Sequence, residues 1–144
     1  MAPLSIGTQT GGSVIRPASY CGVVGYKPTY GLISRNGVLQ TSYNLDQVGV
    51  FGKTVSDVEL LSKVLFARDD EDETTTSINF LNKKVKLKKQ KFVFYKTKRW
   101  RNVDSISKKS FNKFILNNKK IVKVETAPKY FEDCLLYTSD AADD

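Results

Sequence analysis

Histidine is absent from this chain of 144 residues, and cysteine occurs only twice. Without histidine, a Ser-His-Asp catalytic triad cannot be assembled from these residues. The sequence also has no apolar run that approaches the length needed to span a bilayer. Its first residues do not combine a charged segment with an apolar core, so we expect no signal peptide. We therefore expect a cytoplasmic protein with no membrane partner.

The two cysteines differ in their surroundings. Residues 134–144 read CLLYTSDAADD, which looks like a translated sequencing adapter rather than an ordinary acidic tail. We interpret them as a non-native tail and expect the natural residues to stop near Asp133. Cys21 is then the only natural cysteine, and a single cysteine cannot form an internal disulfide and is typical of a reducing compartment. Its apolar neighbours predict an inert, buried thiol.

The net charge of +8 is unevenly distributed along the chain. Residues 82–133 carry seventeen Lys and Arg against four Asp and Glu, whereas residues 67–81 carry one against five. One interpretation of the basic part is a nucleic-acid-binding module. The other is a solvated, lysine-rich face, which we favour because aromatic residues are not interleaved and no nucleic-acid motif occurs. Nucleic acid is therefore not the partner that we expect.

The most informative stretch is residues 7–22, which read GTQTGGSVIRPASYCG. Gly11 and Gly12 remove Cβ atoms that would crowd an incoming group. Small residues in a tight turn can point several backbone N–H groups at one spot, so a nucleophile at Ser13 would have oxyanion donors beside it. A phosphate cradle or a simple tight turn fits the same pattern. The stretch lacks both the G-x-S-x-G order of a nucleophile elbow and the G-K-[ST] ending of a P-loop.

A longer pattern narrows these alternatives. The run GTQTGGSVIRPASYCGVVGYKPTYGLISRNGV, followed by NLDQVGVFGKTVSDVELL, resembles the amidase signature family. The resemblance implies an α/β/α sandwich with a mixed central sheet and a Ser–cis-Ser–Lys triad that hydrolyses small-molecule carboxamides, with no cofactor and no metal. Ser13 falls on the acyl-accepting serine, and Thr8 on a hydroxyl that supports the bridging serine. The family's oxyanion-hole donors fall on the backbone of Thr10, Gly11, Gly12 and Ser13.

The other two members of the triad, the bridging serine and the lysine, lie upstream of this motif in the family. Only six residues precede Gly7 here, so neither has a counterpart in this chain. Family members are also several times longer. We therefore expect a fragment of an amidase that is inactive in isolation and in which Met1 is not the natural start.

The motif departs from the common family form at two positions. Arg16 lies three residues after Ser13, whereas the common form places an arginine two residues after the serine. Gln9 stands where the tRNA-amidating branch often has aspartate. In that branch the arginine holds a substrate carboxylate, so we assign no such role to Arg16. The pattern looks more like general amidases; the alternative is a protein similar to the A-type subunit of glutamyl-tRNA(Gln) or aspartyl-tRNA(Asn) amidotransferase.

The resemblance and the composition together divide the chain. Residues 1–66 are expected to form part of the amidase core, in which the hydroxyl of Thr54 and the acid of Asp57 predict the start of a helix that ends near Phe66. Residues 67–82, which are acidic and threonine-rich, predict a solvated loop. Residues 83–133 are expected to continue the same domain.

A strand–helix–strand unit is predicted within 83–133. Lys91–Tyr95 is typical of a buried strand, Asp104 or Ser105 can cap a helix, and a second strand follows at 121–124. A unit of this length favours a parallel strand pair. Trp100 follows the first strand, where it can either face a substrate cleft or cover the edge of the core, and the sequence leaves both open.

Overall fold

A computed structural model of the chain describes residues 2–76 and 91–132. The chain divides into two units, Met1–Lys84 and Val85–Asp144, which we call the first and the second unit. The stretch 134–144, interpreted above as non-native, lies outside the described residues. Within the described ranges, none of the helices combines the length and apolar character needed to cross a membrane.

The first unit is built on a three-stranded antiparallel sheet in the order β1-β3-β2. The strands are β1 (Leu4–Gln9), β2 (Val24–Tyr26) and β3 (Gln47–Gly52). The central strand β3 is almost entirely buried. In the register, Gly7 lies opposite Gly49 and Gln9 lies opposite Gln47, so the chain that leaves β1 runs alongside the residues that precede β3.

Two helices pack on this sheet, α1 (Ile15–Cys21) and α2 (Val55–Leu65). Glycines let α1 approach closely. A Cβ at Gly49 would lie 2.8 Å from Val14 Cγ2, and one at Gly25 would lie 2.6 Å from Ala18 Cβ. Any larger side chain at these two glycines would push α1, and the turn before it, away from the sheet.

Helix α2 confirms the predicted start. The Thr54 hydroxyl accepts from the Asp57 N–H, and the Asp57 carboxylate accepts from the Thr54 N–H, which is a reciprocal capping box. Val58 places the helix on the core, where it joins Ile33, Val48 and Val50. The role of α2 is therefore packing.

In the predicted loop of residues 67–82, residues 67–76 form no helix or strand and are mostly exposed, and residues 77–82 lie outside the described residues. Two of the loop's carboxylates nevertheless bind other parts of the first unit. Asp72 Oδ2 accepts from the Arg35 backbone N–H at 2.7 Å, and Asp69 Oδ2 accepts from Ser34 Oγ at 2.6 Å. Thr75 is buried. The carboxylates turn inward because residues 34–35 present backbone and hydroxyl donors that need acceptors.

The second unit contains the predicted strand–helix–strand arrangement, but the prediction that the first of these strands is buried is wrong, because Phe92, Val93 and Tyr95 are exposed in this unit. Strand β4 (Phe92–Lys96), helix α3 (Ser105–Asn117) and strand β5 (Val122–Thr126) follow each other, and the two strands pair in parallel. Asp104 caps α3, with its carboxylate accepting from the Ser107 N–H at 2.8 Å. Helix α3 is followed by Asn118, whose φ is −117° and whose side-chain amide donates to the Phe114 carbonyl at 2.8 Å.

The position of Trp100 supports the second of its two interpretations. Its ring lies 5.5 Å from the ring of Phe94 and 5.9 Å from that of Phe111, in edge-on geometry at both. Such aromatic packing stabilises a core edge. Trp100 therefore covers the apolar side of this unit.

The prediction of a buried Cys21 is wrong for this chain. Cys21 is exposed and lines an open groove of about 670 Å³ together with Leu4, Pro17, Val23 and Phe51. Its apolar neighbours line the same groove instead of enclosing the thiol, which is why the sequence pattern misled.

Candidate active site

The candidate site is the turn Thr10–Val14, which joins β1 to α1. Val14 is fully buried and anchors the turn, whereas Ser13 is exposed. The first hydrogen bonds of α1 already begin in the turn, because the Arg16 N–H donates to the Gly12 carbonyl at 2.9 Å. The chain therefore presents the Ser13 hydroxyl to solvent at the start of a rigid element.

The Gln9 side chain braces this turn from inside. Its Oε1 accepts from the backbone N–H groups of Val14, at 2.9 Å, and Ile15, at 3.1 Å. Its Nε2 donates to the Gly11 carbonyl at 2.8 Å. Gln9 itself is only 6% exposed, and its bond with the Val14 N–H is buried, so water competes little for that bond. One side chain thus satisfies both ends of the turn.

The backbone N–H groups of Gly11, Gly12 and Ser13 lie in the part of the turn that the Gln9 side chain spans. Within residues 2–76 and 91–132, they donate to no other group of the protein, and neither does the Ser13 hydroxyl. A site that binds an oxyanion next to a nucleophile requires backbone donors and a hydroxyl close together, and this turn has both kinds of group.

A second contact that holds the turn comes from Asp46, the residue just before strand β3. The Thr10 hydroxyl donates to Asp46 Oδ1 at 2.5 Å. Asp46 is 5% exposed, and its Oδ2 accepts from the backbone N–H groups of Thr41, at 2.5 Å, and Ser42, at 2.8 Å. The Thr10 hydrogen bond is the largest influence that lowers the pKa of Asp46 below its ordinary value, and burial opposes it. Asp46 is therefore held as a carboxylate.

Arg35 supports this contact from behind. Its guanidinium is buried and donates to the carbonyls of Tyr43, at 2.6 Å, and Asp46, at 3.2 Å. It also lies 4.7 Å from the ring centre of Tyr30 and 5.2 Å from that of Tyr43. This arrangement holds the segment that carries Asp46 as one body.

The predicted site residues do not all meet. Thr10, Gly11, Gly12 and Ser13 lie in the one turn. Thr8 is exposed on β1, and its hydroxyl makes no hydrogen bond to any of the described residues. Arg16 folds back over Gly12, where a Cβ would lie 2.7 Å from Arg16 Nε. The absence of a side chain at Gly12 therefore makes room for Arg16.

Sequence reasoning missed Gln9, Asp46 and Arg35 as site-forming residues. Asp46 lies 36 residues beyond Thr10, and no local pattern links the two. Gln9 acts on a helix that starts several residues later, which is not a recognised capping spacing. Only the strand register could have pointed to Asp46, because Thr10 and Asp46 directly extend the pair of Gln9 and Gln47.

Known proteins are similar to this chain in sequence. The amidase family model matches residues 1–142. The A-type subunit of glutamyl-tRNA(Gln) amidotransferase from Treponema denticola is 56% identical over 79 residues, which is 55% of this chain and 16% of that protein. The chain thus spans less than a fifth of the length of that curated relative.

Solved structures agree with the sequence match. The crystal structure of the A-type subunit of glutamyl-tRNA(Gln) amidotransferase from Thermotoga maritima has a TM-score of 0.69 and 34% identity, over 88% of this chain and 29% of that one. An allophanate hydrolase of Kluyveromyces lactis gives a TM-score of 0.70 and 29% identity, over 88% and 21%. The predicted fold class, an α/β fragment of the amidase signature fold, is confirmed, and the chain belongs to the amidase family.

Proposed function

We propose that the protein containing this chain hydrolyses carboxamides through an acyl-enzyme formed on Ser13. The observation that carries the proposal is the exposed Ser13 hydroxyl in a turn whose N–H groups at Gly11, Gly12 and Ser13 stay free of acceptors from the described residues. Membership of the amidase family supports it.

In this proposal, Ser13 Oγ attacks the amide carbonyl and forms an ester with the acyl group. The negative charge that develops on the carbonyl oxygen is stabilised by backbone donors between Thr10 and Ser13, each of which is worth about 3–4 kcal/mol when well placed. The amine leaves with a proton, and water then hydrolyses the ester. No cofactor or metal is required.

The proton relay is supplied from outside the described residues. Among these, no side chain that could act as a base lies within hydrogen-bond distance of Ser13 Oγ. We propose that a lysine and a bridging serine upstream in the longer protein provide the relay, with Thr8 supporting that serine. The 144-residue chain alone should then be inactive, and turnover of a simple amide by it would contradict the proposal.

A fluorophosphonate probe on the complete protein tests the nucleophile. We expect one covalent adduct on Ser13 and complete loss of labelling in Ser13→Ala, because the ester-forming oxygen is gone. Ser19→Ala is the matched control, since Ser19 is another exposed serine, which lies on α1 and outside the turn. Persistent labelling of Ser13→Ala, or equal loss in Ser19→Ala, would refute the assignment.

A second candidate is an amidotransferase component that releases ammonia for a charged tRNA. The name and 56% identity of the Treponema denticola relative favour it. The Gln9 and Arg16 departures favour a general amidase. Purification of the complete protein distinguishes them: a tightly held partner protein and glutamine-dependent amidation of glutamyl-tRNA(Gln) indicate the amidotransferase, and hydrolysis of simple amides without a partner indicates the general amidase.

A further inference from the structure

We infer that Asp46 is a positioning residue for the oxyanion-binding turn, and that it acts through the hydroxyl of Thr10. This inference rests on the proposed function. Asp46 touches none of the reacting atoms. It fixes the backbone that carries the donors, by holding the first residue of the turn.

The strand register explains why a side chain is needed at this point. The ladder between β1 and β3 ends at the pair of Gln9 and Gln47, so backbone pairing no longer restrains Thr10. The hydrogen bond from Thr10 Oγ1 to Asp46 Oδ1 takes its place. Directly after Thr10 come Gly11 and Gly12, the residue type with the widest choice of φ and ψ.

The direction of the free donors depends on this bond. The peptide plane between Thr10 and Gly11 carries the first free N–H of the turn. Anchoring Thr10 from the β3 side restricts that plane, while Gln9 holds the Gly11 carbonyl and the N–H groups of Val14 and Ile15 on the other side. The donors therefore lie between two fixed points.

Asp46 can serve as a fixed point because it is itself immobilised. Both carboxylate oxygens are used, one by Thr10 and the other by the N–H groups of Thr41 and Ser42. Its own carbonyl accepts from the buried Arg35. Displacement of this buried carboxylate would leave it and its donors without these hydrogen bonds, which is unfavourable.

Substitution of Thr10 in the complete protein tests the inference. Thr10→Val keeps the shape of the side chain and removes the donor, whereas Thr10→Ser keeps the donor. We expect Thr10→Val to lower kcat and the rate of fluorophosphonate labelling of Ser13 by about 10- to 100-fold, with KM nearly unchanged, because misplaced donors fail in the transition state. Thr10→Ser should stay within about threefold of the parent protein.

Asp46→Asn is the second variant, and it should reproduce the loss in kcat because one amide group cannot accept from all three donors. Ser34→Ala is the matched control. It removes the 2.6 Å hydrogen bond from Ser34 Oγ to Asp69 Oδ2, which also joins distant parts of the first unit but lies outside the turn. It should leave kcat unchanged.

The outcomes separate the inference from the proposed function. Parent-like kcat in both Thr10→Val and Asp46→Asn would overturn the inference while Ser13 labelling still supports the nucleophile. An equal loss of kcat in Ser34→Ala would also overturn it, because the effect would then be a general loss of stability. Labelling that survives in Ser13→Ala would instead overturn the proposed function.

Discussion

The two units of the chain differ in the kind of side chain that holds them together. The first unit buries six polar side chains in its described part. Four of them belong to the turn that carries Ser13 or to its supports, Gln9, Arg35, Asp46 and Gln47, and the other two are Ser62 and Thr75. In the described part of the second unit, Glu132 alone is a buried polar side chain, and helix α3 has no buried residue. Its apolar side is instead a cluster of aromatic rings.

The difference shows where conformational precision is required. Burying a polar group is unfavourable unless its hydrogen bonds are satisfied, but satisfied bonds fix direction, which non-directional apolar packing does not. The first unit buries polar groups around the turn, and their hydrogen bonds fix the direction of its backbone. The second unit, with exposed lysines and aromatic packing, needs only a parallel strand pair and a covering helix.

The largest expected effect comes from Arg35→Met. The variant leaves the carbonyls of Tyr43 and Asp46 and the hydroxyl of Tyr30 without their buried donor, which we expect to destabilise this region by about 3 kcal/mol or more. Hydrogen-exchange mass spectrometry on the complete protein should show faster exchange at residues 41–47. Arg68→Met is the control, because its ion pair with Asp70 is exposed and worth about 0–1 kcal/mol. Equal effects of Arg35→Met and Arg68→Met on this exchange would show that the buried bonds of Arg35 stabilise the region no more than an exposed ion pair does.

Gln9→Met should have the next largest effect. Methionine matches the length of glutamine but cannot make the bonds to Gly11, Val14 and Ile15, so we expect a loss of about 2 kcal/mol and slower fluorophosphonate labelling of Ser13. Gln40→Met, at an exposed position, should leave the labelling rate unchanged. Unaltered labelling in Gln9→Met would show that the turn does not need its inner brace.

Acidification should affect the first unit through Asp46. The pKa of Asp46 is lowered below 3.8 in the folded chain, chiefly by the Thr10 hydroxyl. Its stabilising contribution is therefore complete above the unfolded value and is lost as the pH falls through the lower folded value. Exchange protection of Thr41 and Ser42, corrected for intrinsic rates, should fall at the acid end. Asp46→Asn should flatten this pH dependence of exchange. If the variant keeps the pH profile of the parent protein, titration of Asp46 is not its cause.

The smallest effect is expected in the second unit. Asp104→Ala removes the carboxylate that accepts from the Ser107 N–H, so the first turn of α3 should exchange slightly faster. Labelling of Ser13 should not change. Asn112→Ala, an exposed position in the middle of α3, is the control for a substitution without a cap. A change in the rate of Ser13 labelling in Asp104→Ala would contradict the expectation that the turn is held by residues of the first unit alone.

Local patterns predicted those elements whose forces are local. The capping box of Thr54 and Asp57 lies within one helical turn, and the strand–helix–strand unit follows from periodicity and a capping Asp104. The turn around Ser13 was predicted from its glycines and from the family resemblance. The assignment of Ser13, Thr10, Gly11, Gly12 and Thr8 to catalytic roles stays a prediction until labelling is measured.

Contacts between residues far apart in sequence could not be predicted from local patterns. The buried thiol predicted for Cys21 was wrong, because what surrounds a residue depends on segments far away in sequence. The bonds that tie Asp69 and Asp72 of the acidic loop to residues 34–35 were not predicted for the same reason. The bond between Thr10 and Asp46 spans 36 residues and depends on the register of β1 against β3. No property of either residue alone specifies the other as its partner.

The order of residues along the chain thus determined a short glycine-rich turn with a serine, a capped helix and a parallel strand pair, since each depends on neighbours a few positions apart. The tertiary structure decided which backbone N–H groups of that turn stay free and what holds them still. The physical reason is that hydrogen-bond partners are chosen by proximity in space, and for Gln9, Arg35 and Asp46 that proximity arises only when the sheet has formed.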